Sequence, residues 1–361
     1  MSNELHGIIL TGMTDAVRRS YDLWARQAVD WDLTAEPEEP PDARQTTIGK
    51  TVSVTGPGTF FSRERRTLTF EPTTLQGWWF DRIDQGDSLP IRVSVRNVWT
   101  TARNIVLRSG SPHNYMRMVE HIIALRLGLG LDNVMVKVDS GDPPLFDRGS
   151  LDLVETLEAA GVERQSAPVT YLTVKEAVTV GGPHGSFLTF LPCDPARPRL
   201  EIDCAVDFSD AIGRQRIRLN LGRKYFRYGA LARTNTTATM MFYFATFGKL
   251  FADIRNMGYT DRNILIAGQR RYVNPPLLVH EGKSLEAIWH RALLDLLAAI
   301  ALIDQGRFVG KVISYKSGHS LDVDMIRLLH KYDVLKTIPG PALAPEAGGT
   351  GGQGSGFRSE C

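Results

Sequence analysis

Apolar residues at steps of three and four mark the first element of the chain. Over 14–33 (TDAVRRSYDLWARQAVDWDL), Val17, Tyr21, Trp24, Ala28 and Trp31 share one helical face, with Thr14 available to cap its start. The acidic, proline-bearing stretch 35–45 (AEPEEPPDARQ) lacks any period and reads as a linker. Alternation then takes over in 51–56 (TVSVTG) and 66–72 (RTLTFEP), the pattern of half-buried strands. A helix is expected over 115–127 (YMRMVEHIIALRL), closed by the glycines that follow. A strand over 134–138 and a helix over 151–161 come next.

The same rhythm restarts downstream. Strands are expected over 171–180, 186–192 and 199–208, then helices over 236–258 and 284–303, a strand over 307–316 and a helix over 319–332. Two successive blocks, each with antiparallel-looking strands and its own helices, point to an α+β fold of two layered units rather than an alternating parallel sheet. The expected divisions are a helix and linker over 1–45, α+β units over 46–166 and 167–338, and a disordered Gly-rich tail over 339–361.

Composition narrows the class. With 43% hydrophobic and 23% charged residues, 361 residues suffice for two cores, which excludes wholesale disorder or a fibre. A net charge of +2 gives no overall bias toward nucleic acid or a membrane surface. Basic clusters at Arg63–Arg66, Arg223–Arg227 and Arg270–Arg271 are short enough to be solvated strand ends, and no nucleic-acid partner is expected. Three cysteines without a CxxC pair fit a reducing compartment and exclude a cysteine-built zinc site. No apolar run reaches the roughly 20 residues of a membrane span, and the start lacks a basic n-region, so the expected location is cytoplasmic. The 14–33 helix has three roles open to it: docking on the body, pairing with another subunit or touching a membrane peripherally. Its acidic residues favour the body.

The candidate chemistry lies among eight histidines. Glu120 precedes His121 on one helix, His290 and Asp295 share another, and His319 follows Ser317-Gly318 between a strand and a helix. Two histidines and a carboxylate, with a further Glu and His, form the minimum kit of a mononuclear zinc hydrolase. Each piece alone is weak, since a lone helical histidine is more often a hydrogen-bonded structural residue. Aromatics over 239–251 can line an acyl channel, although plain helix core is the commoner explanation.

The motifs gain meaning together. Val119-Glu120-His121 followed by Gly128-Leu129-Gly130-Leu131-Asp132-Asn133 resembles the VEH…GLGxDN segment of bacterial UDP-3-O-acyl-N-acetylglucosamine deacetylases, zinc enzymes of lipid A synthesis. Pro144–Asp147 with Gly149-Ser150 is similar to that family's PIxDGS, with Arg148 inserted. Glu286-x-x-x-His290-Arg291 resembles its ExxxHK, and Tyr315-Lys316-Ser317-Gly318-His319 matches its YKSGH. The resemblance spans about 49–337. It implies Glu120 as general base, His319 as general acid, and His121 and His290 as ligands of one Zn2+ per chain, with Asp295 the favoured third ligand and Fe2+ an alternative ion. It also implies an acylated UDP-sugar substrate, contacted by Thr246, Arg291 and Lys316. The implied fold is a pair of similar two-layer α/β sandwich domains with helices packed between the sheets.

Four positions depart from the family pattern. Its aspartate ligand falls four residues after the second histidine, where this chain has Leu294. Asp295 stands at i+5, about 140° round a regular helix. A one-residue π-bulge restores its reach, and Glu286 at i−4 is the other candidate. The carboxylate that supports the family's catalytic histidine is replaced by Ala299, leaving Asp322 or Asp324 as substitutes. The early GxGLH motif ends in Phe60. The family's ARTFG threonine has two counterparts, Thr234 and Thr246, of which Thr246 lies at the better distance before His290. Three readings follow: a deacetylase of the lipid A precursor, a zinc deacetylase of another N-acetylated sugar, and an inactive relative that binds a nucleotide-sugar or a protein.

Overall fold

The computed structural model describes residues 6–36, 39–60, 64–239 and 258–341. Its N-terminal segment supplies β1 (Ile8–Thr11), α1 (Thr14–Arg26) and β2 (Trp31–Leu33). The helix expected over 14–33 therefore ends at Arg26. Gln27 leaves helical geometry (φ −72°, ψ 123°), and its side-chain amide donates to the carbonyls of Val206 and Gln215 at 3.2 and 3.1 Å. That anchor turns the chain, and Trp31 joins a sheet edge instead of extending the apolar stripe. Val17, Tyr21 and Trp24 pack on Phe187, Ala205, Ile313 and Tyr315, so the helix docks on the body.

The alternating segments build a five-stranded sheet. It contains β3 (Val52–Pro57), β4 (Arg65–Pro72), β5 (Trp78–Arg82), β6 (Ile91–Arg92) and β7 (Val134–Val138), in the order β3-β4-β7-β5-β6. Only the β5–β7 pair is parallel. Alternate residues of β5 and β7 are buried, as the pleat requires of a one-faced core. The helix expected over 115–127 starts later, as α2 (Glu120–Gly128), because Tyr115–Met116 pairs with Arg108 and Leu107. α3 (Leu151–Ala160) follows its expected course.

A seven-stranded sheet takes β1 and β2 as its two edges. Its other strands are β8 (Val178–Gly181), β9 (Phe187–Leu191), β10 (Leu200–Asp207), β11 (Arg214–Asn220) and, from further along the chain, Gly310–Tyr315. The run 171–180 divides, since Tyr171–Val174 pairs with Arg307–Phe308 and Leu335–Ile338 in a small sheet. The helix expected over 236–258 opens instead with β12 (Thr234–Thr237), parallel to β13 (Ile264–Ala267). Residues 240–257 lie outside the described residues, as do 342–361 of the expected tail. Gly310–Tyr315 is β14, which gives the order β1-β8-β9-β14-β10-β11-β2.

α4 (Arg223–Gly229) follows β11, and one interrupted helix crosses the interior: α5 (Glu286–His290), a π turn (Arg291–Leu296) and α6 (Leu297–Ala301). α7 (His319–Lys331) follows β14. α2 packs against the π turn and α6, α5 against β10 and β11, and α3 against β3. Phe70, Trp78, Ile123, Leu125, Trp289, Leu293 and Leu297 belong to one continuous buried set that joins the sheets through these helices. Among the described residues no helix is long and apolar enough to cross a membrane.

Candidate metal centre

Two non-glycine residues in left-handed backbone conformation deliver the reactive side chains. Met118 (φ +50°) lies just before Glu120 and His121 at the head of α2, and Lys316 (φ +54°) lies three residues before His319 at the head of α7. Such a conformation costs about 1–2 kcal/mol per residue and persists only where its surroundings hold it. A third left-handed residue, Gly149 (φ +62°), leads into Ser150. A Cβ on it would lie 2.6 Å from the carbonyl oxygen of Ala230, so only glycine fits that approach.

These turns bring together residues far apart in sequence. The Nε2 atoms of His121 and His290 face each other at 3.2 Å. Ser150 Oγ lies 2.9 Å from His121 Nδ1, and as an acceptor there it leaves the Nε2 lone pair of His121 free. Thr234 Oγ lies 3.0 Å from His290 Nε2. The π turn carries Asp295 back toward His290, with Oδ2 at 3.4 Å from Nδ1, while Oδ1 lies 3.8 Å from His319 Nε2. Glu120 Oε1 accepts the backbone N–H of Ile105 and lies 3.9 Å from His319 Nε2.

Charge is tuned by this enclosure. Burial, reinforced by His290, pushes His121 down to about 3, so its ring stays neutral. Burial pushes the Asp295 carboxyl up, but His290 and His319 outweigh it and hold it well below the usual carboxylate range. Burial raises Glu120, only partly offset by His319. His319 is also disfavoured by burial as a cation, yet Asp295 and Glu120 raise it above an ordinary histidine.

Two imidazoles and a carboxylate are a donor set that suits a divalent ion of zinc's class. The nitrogen separation fits as well, since two ligands about 2.0–2.1 Å from a tetrahedral ion lie roughly 3.3–3.4 Å apart. Among the described residues, no three His, Cys, Asp or Glu side chains are gathered round one point as they stand. The carboxylate meets His290 through Nδ1 rather than Nε2.

Comparison with known proteins gives the family of the chain. The family profile described as UDP-3-O-acyl N-acetylglycosamine deacetylase (LpxC) matches residues 45–331. The chain belongs to this family. It is 26% identical over 289 residues to the UDP-3-O-acyl-N-acetylglucosamine deacetylase of Brucella ovis, covering 80% of this chain and 96% of that protein. With the enzyme of the same name from Pseudomonas entomophila it shares 26% identity over 303 residues, covering 79% and 90%. Membership in the LpxC family thus rests on most of the chain, but β1, α1 and β2 precede the matched region.

The positions that depart from the LpxC pattern resolve differently. Glu286 is fully engaged: its carboxylate accepts Arg233 Nε at 2.7 Å and Nη2 at 3.1 Å, and the backbone N–H of Leu277 at 2.6 Å. It is therefore a structural partner rather than a donor to the imidazole pair. Thr234, adjoining Arg233, contacts His290, and Thr246, the threonine expected to meet the substrate, lies outside the described residues. Neither proposed substitute for the missing carboxylate hydrogen-bonds His319: Asp322 is bound by Arg291, and Asp324 pairs with Arg327 on the surface. Ala299 is buried core, and the ring of Phe60 is covered by the Arg117 guanidinium at 3.6 Å.

Arg291 points inward. Its Nη2 donates to Ser317 Oγ at 2.7 Å and to both Asp322 oxygens at 2.6 Å. Lys316 and Asn235 line a cleft together with Arg291, Asp295 and Ser317. The motif around Ser150 does not by itself single it out as a functional residue; its contact with His121 does. Its signal is the left-handed glycine immediately before it.

Proposed function

We propose that this chain is a zinc-dependent amide hydrolase that removes the N-acetyl group of UDP-3-O-acyl-N-acetylglucosamine and releases acetate, a step of lipid A biosynthesis. The observation that carries this reading is the facing pair of His121 and His290, with Asp295 beside it and Glu120 and His319 within 4 Å of one another. His121, His290 and Asp295 would hold one Zn2+, with Fe2+ as an alternative. When bound, such an ion lowers the pKa of a water to about 7 and polarises the amide carbonyl.

The chain's own residues supply the proton transfers. Glu120, buried within 4 Å of His319, takes the proton of the attacking water. His319, whose cationic form is disfavoured by burial but favoured on balance by Asp295 and Glu120, gives a proton to the departing sugar nitrogen as the C–N bond breaks. Water supplies the second acetate oxygen, and the products are acetate and the free amine. Thr234 is positioned for the acetyl group, and Lys316 borders the cleft through which the nucleotide diphosphate would lie. The architecture proposed is the family's pair of two-layer sandwiches with divisions near 46–166 and 167–338, and the location cytoplasmic. Phe60 under Arg117, where relatives carry a histidine, favours a second reading in which the same chemistry acts on a different N-acetylated sugar.

The test is to incubate purified protein with the acylated UDP-N-acetylglucosamine, with and without chelator, after loading with Zn2+ or Fe2+. Chelator-sensitive acetate release is expected. Its absence with both ions overturns the first reading, and a panel of other N-acetylated sugars then decides the second.

A further inference from the structure

The interior contains a charge pair that the proposed proton transfers do not use. Arg291 is 7% exposed and Asp322 fully buried, and the guanidinium binds both carboxylate oxygens at 2.6 Å. The same Nη2 reaches Ser317 Oγ at 2.7 Å, and Ser317 Oγ lies 2.7 Å from Ser314 Oγ on β14. Three elements meet here: the π turn through Arg291, the end of β14 through Ser314, and the first turn of α7 through Asp322. His319 belongs to that first turn.

We propose that the Arg291–Asp322 pair is a positioning clamp, which holds the Ser317-Gly318-His319 turn against the helix bearing His290 and Asp295. It takes over the task that the family resemblance gives to a carboxylate at the position of Ala299. Only the role of His319 as proton donor is borrowed from the deacetylase reading.

Three observations support the clamp. His319 Nδ1 is buried without a hydrogen-bond partner among the described residues, so its ring is not oriented from behind and depends on its backbone. That backbone follows a left-handed Lys316, whose N–H is tied to the Ala205 carbonyl at 3.0 Å, and such a turn needs a tether. All of these contacts are made by the one Nη2 atom, which ties the Ser317 hydroxyl and the Asp322 carboxylate together at a single point. Stability alone does not account for the pair, since replacing a buried ion pair by apolar residues of similar volume is often neutral.

The decisive variant is the double substitution Arg291→Met with Asp322→Leu, which removes the clamp without stranding a charge. Two readouts are taken on the metal-loaded protein: amide hydrogen exchange over 316–322, and kcat and KM for acetate release. The clamp predicts exchange faster by about tenfold or more in that segment. It also predicts kcat lower by about 10- to 100-fold, with KM and bound metal unchanged. Wild-type exchange and kcat in the folded variant would overturn it. Should the double variant fail to fold, Ser317→Ala removes the hydroxyl link alone: faster local exchange and a lower kcat are expected, and wild-type values overturn the clamp. If the wild-type protein releases no acetate, the deacetylase reading falls, and the exchange measurement still decides the clamp.

Discussion

Asp295 Oδ2 lies 3.4 Å from His290 Nδ1 although the two residues are five apart on a helix. A regular helix would set them about 140° apart, and the π turn over Arg291–Leu296 removes that offset. The extra residue is thus absorbed locally, with regular helix on either side. Deleting Ala292 should convert the turn to α-helix and set the carboxylate at i+4. Metal stoichiometry, measured by emission spectroscopy, is expected to stay near one per chain. Asp295→Ala should lose it.

Ser150→Ala removes the hydroxyl at 2.9 Å from His121 Nδ1 and leaves the ring free to change tautomer. Zinc affinity should weaken about 10- to 100-fold in chelator competition, while Ser150→Thr retains most of it.

Glu286→Gln separates a structural carboxylate from a ligand. The pair with Arg233 is buried, with side-chain exposures of 0% and 4%, so breaking it should cost about 3–5 kcal/mol in urea unfolding. Metal per folded chain should not change. A loss of metal with intact stability would show that Glu286 is a ligand after all.

How much of this was legible in the sequence depends on the kind of signal. Strands β4 and β7 are found within a residue of their expected ends, because alternation and pleat share a period of two. β5 was missed: Trp78, Trp79 and Phe80 do not alternate in polarity, although only the first and third are buried. The helix over 14–33 was overextended because Trp31 happens to fall on the helical stripe, while its burial comes from stacking on His280. The motifs single out Glu120, His121, His290, Asp295 and His319, which the fold brings near one another, but not the partners of Glu286, Arg291 and Ser150. Those depend on which of several side chains meets a buried charge in three dimensions.

The protonation states give the metal-free protein an acid-sensitive signature. His121 is held down to about 3 in the folded chain against roughly 6.5 when unfolded. As pH falls from 6.5 toward 3 the unfolded chain takes up a proton that the folded chain refuses, so stability drops, by an amount on the order of a few kcal/mol. The contribution of Asp295 has the ordinary carboxylate sign, present above its unfolded value and lost as pH falls through its lower folded value. His319 acts the other way, contributing below its unfolded value and losing that contribution as pH rises through its raised folded one. Denaturant titrations in chelator between pH 7 and 4 should show the decline, and His121→Asn should flatten it.

Trp24→Ala should destabilise the fold by about 3–5 kcal/mol. Trp24 packs in the α1 cluster, its ring lies 4.2 Å from the Arg216 guanidinium, and that guanidinium binds Asp203 at 2.9 Å. A midpoint shift in thermal unfolding checks the figure.

The strands at both rims of the seven-stranded sheet, β1 and β2, come from residues that precede the homologous stretch. A truncation at position 45 would keep every residue of the proposed centre yet bare two rows of backbone donors and acceptors. It would also strip the cover from Thr179, Thr189, Asp203 and Arg216, polar groups now shut beneath α1. Such a fragment would seek copies of itself. In this chain the segment that must fold together is longer than the segment that matches the family.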